Sequence, residues 1–94
     1  MSSRKRPVSY TLVVDPHFLD DLAWWVKTQP RIAKKVLELI EDIRSTPFSG
    51  LGKPEPLKFR QGDSWSRRIT EEHRLVYRVA ADCIYLLQCR YHYR

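Results

Sequence analysis

Cysteine, glycine and histidine are scarce in this 94-residue chain, with two, three and three copies respectively. Each scarcity excludes something. Cys83 and Cys89 lie six residues apart. On one strand their Cα atoms would be about 20 Å apart, against the roughly 4.4–6.8 Å that a disulfide spans. Both are expected as thiols, which suits a reducing compartment, and the spacing is no zinc pattern. His17, His73 and His92 are scattered, with no carboxylate cluster at ligand spacing, which argues against a metal centre. There is no phosphate-cradling glycine loop and no nucleophile–histidine motif, so no cofactor is expected. Long apolar runs are missing too: stretches such as Leu12-Val13-Val14 are only a few residues long, too short to cross a bilayer. No apolar signal core follows the basic start of the chain, so a cytoplasmic protein without membrane contact is expected.

What the chain does have is positive charge, unevenly spread. The formal net charge is +6. Arg4, Lys5 and Arg6 contribute +3, residues 7–47 hold five basic and six acidic side chains, and residues 48–94 hold nine basic and five acidic. Charge gathered in a tail and the C-terminal half is the footprint of a polyanion partner. With 43% hydrophobic and 30% charged residues, the composition is that of a single globular domain, read as a flexible basic tail over 1–8 and one domain over 9–94.

Hydrophobic patterning orders that domain. Ser9–Val14 is rich in β-formers and reads as a strand. Asp15-Pro16 then supplies a helix cap and a proline suited to the first turn. Phe18, Leu22, Trp25 and Val26 recur at helical spacing as far as Thr28. Gln29-Pro30 repeats the start signal, and Ile32, Val36, Leu39, Ile40 and Ile43 stripe a second helix that stops before Pro47. Pro47–Pro56 reads as a loop. From Leu57 onward strands are predicted, including Trp65–Thr70, Arg74–Val79 and Cys83–Tyr91, with short turns at 71–73 and 80–82. The predicted fold is α+β, in the order β-α-α-β-β-β-β, with the two helices packed on one face of a mostly antiparallel sheet.

The C-terminal half also carries the groups that metal-free RNA cleavage needs. RNA brings its own nucleophile, the 2′-hydroxyl. A base must take its proton, an acid must protonate the departing 5′-oxygen, and cations must hold the added charge on phosphorus. Glu55 is held between Pro54 and Pro56, with Lys53 and Lys58 beside it. Arg67, Arg68, Arg74, Arg78 and Arg90 lie on predicted strands, and His92 titrates near neutral pH. Alternation places Ile84, Leu86, Gln88, Arg90 and His92 on one face of the last strand, and allows Arg74 to share a face with Arg90 and His92. Taken alone, these features support a basic domain with a nucleic-acid partner. Either an RNA-cleaving enzyme or a non-catalytic RNA- or ribosome-binding inhibitor of translation satisfies them.

Three segments narrow the choice. Gly52-Lys53-Pro54-Glu55-Pro56-Leu57-Lys58, the run from Trp65 to Tyr77 and the ending Cys89-Arg90-Tyr91-His92-Tyr93 together resemble the YoeB/Txe toxins, a branch of the RelE-like ribonucleases. The stretch from Arg31 through Phe48 resembles that family's second helix and exit. The resemblance implies a RelE-like fold and a toxin that cleaves mRNA in the ribosomal A site without a metal. It also implies neutralisation by a YefM-type antitoxin, and homodimerisation. By matching positions it implies Glu55 as general base, Arg74 as stabiliser of the transition-state phosphate, His92 as general acid and Tyr93 as an assisting residue. Lys53, Lys58, Arg68 and Arg90 are implied as substrate contacts. The chain departs from the pattern in its basic segment 1–8, in Phe59–Ser64, and in Arg94, which sets the terminal carboxylate beyond Tyr93.

Overall fold

The computed structural model describes residues 10–58 and 62–91. The tail 1–8, Ser9 of the first predicted strand, Phe59–Gln61, His92, Tyr93 and Arg94 lie outside the described residues. In chain order the elements are β1 (Thr11–Val14), α1 (Pro16–Thr28), α2 (Pro30–Ser45), β2 (Glu55–Pro56), β3 (Asp63–Arg68), β4 (Arg74–Val79) and β5 (Cys83–Gln88). They form one five-stranded sheet in the order β1-β5-β4-β3-β2. β1 runs parallel to β5, and the other pairings are antiparallel. This is the element order and layering the sequence predicts.

Local chemistry explains the helix boundaries. The Asp15 carboxylate accepts the His17 N–H at 2.8 Å, satisfying one of the first-turn donors that a helix leaves unpaired. Gln29 closes α1 by donating its N–H to the Trp25 carbonyl, and opens α2 by accepting from Ile32 and Ala33. The buried stripe of α2 is Ala33, Val36, Leu39, Ile40 and Ile43. With Phe18 and Trp25 of α1 it packs on Leu75, Tyr77, Val79, Ile84 and Leu86 of the sheet. Val26, expected in the core, is exposed. One residue is 100° of helical rotation, and only the Trp25 side of α1 meets the sheet. Asp21 of α1 is buried as well and accepts the Cys89 N–H at 3.0 Å.

Among the boundaries that differ from expectation, three have a clear physical reason. The segment read as loop through Pro56 contains β2, where Glu55 pairs with Ser66 and Pro56 with Trp65. An edge strand tolerates proline because one of its sides needs no N–H donor. β3 ends at Arg68 rather than Thr70, because Ile69 and Thr70 both donate to the His73 carbonyl and turn the chain early. β5 ends at Gln88 and carries a bulge: Val76 faces Gln88 but Tyr77 faces Leu86, which leaves Leu87 without a partner on β4. A bulge reverses strand alternation beyond it. Gln88 therefore joins the Val76 row instead of following Ile84 and Leu86, and Cys89 turns into the core. Neither cysteine is in a disulfide.

Candidate active site

Sheet register places the site. Glu55, Ser66, Val76 and Gln88 form one row across β2, β3, β4 and β5, and Arg68 lies opposite Arg74 two residues along. The core contacts of Leu75, Tyr77 and Val79 put this row on the face turned away from the helices. Lys53, Pro54, Glu55, Ser66, Arg68 and Arg74 line a cavity there of about 290 Å³. Strand spacing and rise set the Cα atoms of Glu55 and Arg74 about 12 Å apart. The two charged side chains thus border one small space from opposite sides.

The loop before Glu55 is held on both sides of it. Arg68 donates its N–H to the Gly52 carbonyl at 2.7 Å, and Leu57 donates to Ser64 at 2.8 Å. Gly52 has φ +77°, and a Cβ there would sit 3.0 Å from the Arg68 carbonyl oxygen, so both conformation and space require glycine. Lys53 follows with φ +52°, a left-handed conformation uncommon outside glycine. It persists because Gly52 and Glu55 on either side are fixed to β3.

Behind the loop stands Arg67, which the sequence groups with the surface cations. It is instead fully buried and faces the helices. Its Nη1 donates to Asp42 Oδ2 at 2.5 Å and to the Leu51 carbonyl at 3.0 Å. Nη2 donates to the carbonyls of Thr46 and Ser49 at 2.6 and 2.9 Å, and Nε to the Tyr77 hydroxyl at 3.2 Å. That hydroxyl donates in turn to the Pro47 carbonyl at 2.7 Å. One guanidinium thus ties residues 46–51, the approach to the site, onto the sheet. Burial would raise the Asp42 carboxyl, but the Leu51 N–H and then the hydrogen bond and charge of Arg67 outweigh it and hold it below its ordinary value. Burial pushes the Tyr77 hydroxyl up, against the opposing effect of Arg67. No local pattern marks Arg67, since its partners lie 10 to 25 residues away in sequence.

Arg74 is held by its own turn. Nη1 donates to the carbonyls of Thr70, Glu71 and His73 at 3.0, 3.2 and 3.3 Å. Among the described residues its side-chain hydrogen bonds all come from that nitrogen, which leaves the Nε and Nη2 donors for an anion in the cavity. Its backbone N–H donates to the carbonyl of Tyr91, the last described residue, at 2.8 Å.

The remaining expected contacts divide. Lys53 and Arg68 line the cavity; Lys58 and Arg90 are not among its lining residues. Lys58 is exposed just after β2. Arg90 leaves the sheet, because β5 ends before it, and stacks its guanidinium 3.5 Å from the centre of the Trp24 ring and 4.8 Å from that of Tyr91. It therefore does not share the Arg74 face as alternation predicts. His92 and Tyr93 lie outside the described residues. A residue the sequence does not single out, Ser66, supplies a buried hydroxyl to the cavity wall. A second concavity of about 600 Å³ adjoins the first. Arg31, Lys34 and Lys35 of α2 border it over Leu39 and Leu51, and it shares Lys53 and Arg68 with the cavity. Among the described residues no three histidine, cysteine or acidic side chains are grouped to hold a metal ion, and no helix is long and apolar enough to cross a membrane.

Residues 14–93 match the model of the YoeB-like toxins of bacterial type II toxin–antitoxin systems. The chain is 60% identical over 74 residues to Toxin YoeB of Escherichia coli K12, covering 79% of this chain and 88% of that one. Its structure is similar to a YoeB/ParE toxin from Agrobacterium tumefaciens, with a TM-score of 0.83, 47% identity and coverage of 88% and 99% of the two chains. It is also similar to YoeB from Staphylococcus aureus in a heterotetrameric complex with the antitoxin YefM, with a TM-score of 0.77, 36% identity and coverage of 89% and 98%.

Proposed function

The chain belongs to the YoeB-like toxins of bacterial type II toxin–antitoxin systems, and from that premise we propose that it is a cytoplasmic, ribosome-dependent endoribonuclease that cleaves mRNA in the A site by general acid–base chemistry without a metal. The observation that carries this reading is the lining of one small cavity by a carboxylate, Glu55, and three cations, Lys53, Arg68 and Arg74.

The chemistry follows from the groups. The Glu55 carboxylate takes the proton of a 2′-hydroxyl, whose oxygen attacks the adjacent phosphorus. The P–O5′ bond breaks, and His92 delivers a proton to the departing 5′-oxygen, with Tyr93 assisting. The products are a 2′,3′-cyclic phosphate and a 5′-hydroxyl. Arg74, anchored through Nη1, meets the non-bridging oxygens with its other donors as their charge grows. Arg68 and Lys53 add to the positive field, and Lys58 and Arg90 serve RNA outside the cavity. A YefM-type antitoxin, as seen with the S. aureus relative, covers the toxin until it is released, and the toxin acts as a homodimer.

The test is to map mRNA ends on purified ribosomes programmed with a defined message, with wild-type protein and with Glu55→Gln, the antitoxin withheld and then restored. New cyclic-phosphate ends that appear with wild type, fail with Glu55→Gln and vanish with antitoxin support the reading. Translation arrest on intact message would instead identify a non-catalytic block.

A further inference from the structure

Tyr91 has φ +63°. A left-handed conformation at a bulky residue is a genuine outlier and persists only where surrounding contacts over-determine it. Two consecutive residues of the β3–β4 turn do so. The Tyr91 N–H donates to Nδ1 of His73 at 2.7 Å, and the Tyr91 carbonyl accepts the Arg74 N–H at 2.8 Å. The backbone of Tyr91 is thereby gripped at both its donor and its acceptor, across 18 residues of sequence.

His73 is itself placed on three sides. Its ring stands edge-on to Trp25, with centroids 4.7 Å apart and planes at 88°. The Tyr91 ring lies 5.4 Å away at a tilt. Its carbonyl collects the N–H groups of Ile69 and Thr70 and the Arg74 guanidinium. Trp25 is fixed in turn by donating Nε1–H to the Cys89 carbonyl at 2.7 Å. A ring nitrogen that accepts a backbone N–H carries no proton, so the neutral imidazole holds its hydrogen on Nε2.

We propose that His73 is a positioning residue: its Nδ1, with the Arg74 N–H, locks Tyr91 in the left-handed conformation and so fixes the direction in which the backbone leaves Tyr91. This rests on the reading of His92 as the general acid, which would follow directly from the gripped residue. The imidazole touches no substrate in this role. It acts on the acid through one backbone hydrogen bond, from the same turn that carries the Arg74 guanidinium, so acid and phosphate clamp share one anchor.

Substitutions separate the acceptor from the ring. His73→Asn places an acceptor oxygen at the δ position without the ring. His73→Gln moves the acceptor one bond outward, and His73→Phe keeps the ring against Trp25 with no acceptor. Two readouts are taken on the full chain: hydrogen exchange of the Tyr91 amide, and single-turnover mRNA cleavage on ribosomes with its concentration dependence. His73→Asn is expected to keep Tyr91 protection and a rate within a few-fold of wild type. His73→Phe and His73→Gln are expected to speed Tyr91 exchange about tenfold. They are also expected to slow the cleavage step about ten- to a hundredfold at unchanged half-saturating concentration. Full rate in His73→Phe overturns the proposal, as does loss in His73→Asn equal to that in His73→Phe. Absence of cleavage by the wild type would refute the proposed function instead, and the amide readout then decides whether His73 locks Tyr91.

Discussion

Arg67 Nη1 and Asp42 Oδ2 meet at 2.5 Å between β3 and the last turns of α2. The guanidinium is fully buried, while the carboxylate is 27% exposed. Such a pair is weak evidence for stability when weighed against an apolar replacement, but breaking one side of it strands the other. Here the stranded groups would include the carbonyls of Thr46, Ser49 and Leu51 as well as Asp42.

Arg67→Lys is therefore expected to be nearly as damaging as Arg67→Met, because an ammonium cannot reach the five acceptors that the planar fork does. Each should cost about 3–5 kcal/mol, a large share of the 5–15 kcal/mol typical of such a domain. Urea unfolding of the purified variants measures this. A Lys variant as stable as wild type would show that charge alone, not the fork, holds the loop.

The same pair predicts an acid response. The Asp42 carboxyl titrates below its ordinary 3.8 in the folded chain, so its ionised form favours folding. That contribution is fully present above about pH 5 and is lost as pH falls through the folded-state value. The gap in unfolding free energy between wild type and Asp42→Asn should be constant from pH 7 to 5 and should narrow below pH 4. Denaturant titrations at stepped pH test it, and a gap that widens on acidification contradicts the assignment.

How much of this the sequence could show depended on distance along the chain. The helices were readable because their caps and stripes are local: Asp15 caps two residues away, and Val36, Leu39, Ile40 and Ile43 repeat at helical period. Arg67 and His73 were not. An arginine on a strand reads as a surface cation, and nothing near it announces that its acceptors lie in residues 42–51. The bulge at Leu87 was equally silent, since apolar residues run unbroken from Cys83 to Leu87 and either register buries them. Glu55 was legible as a candidate through its flanking prolines, but its row with Ser66 needed the sheet.

Glu55 offers a cleaner separation of function from folding than Arg67. It is exposed on the short edge strand β2; among the described residues its side chain makes no bond to β3, and backbone pairing, flanked by Arg68 to Gly52 and Leu57 to Ser64, joins the two strands. Glu55→Gln should leave the unfolding midpoint within about 0.5 kcal/mol of wild type. It should slow single-turnover cleavage about 10²–10⁴-fold. Calorimetry and ribosome-based kinetics on one preparation check both halves. An unchanged rate would remove Glu55 from the role of base whatever else the protein does.

The concavity on α2 makes a prediction about binding rather than chemistry. Arg31, Lys34 and Lys35 border it, and Lys53 and Arg68 join it to the cavity that Glu55 and Arg74 line. A single strand seated in one would pass its phosphates along the other. Neutralising a phosphate contact weakens binding without regard to sequence and flattens its salt dependence. Lys34→Gln/Lys35→Gln should bind a short single-stranded RNA more weakly at low salt. The slope of log K against log salt should fall in magnitude by about 1.4, at roughly 0.7 per phosphate on single strands. Both lysines are exposed on α2, so folding should be unaffected and the change can be read as electrostatics. Fluorescence anisotropy across a salt series measures the slope. An unchanged slope would mean that RNA leaves the cavity by another route, across the β4 and β5 side where Arg78 stacks on Tyr85.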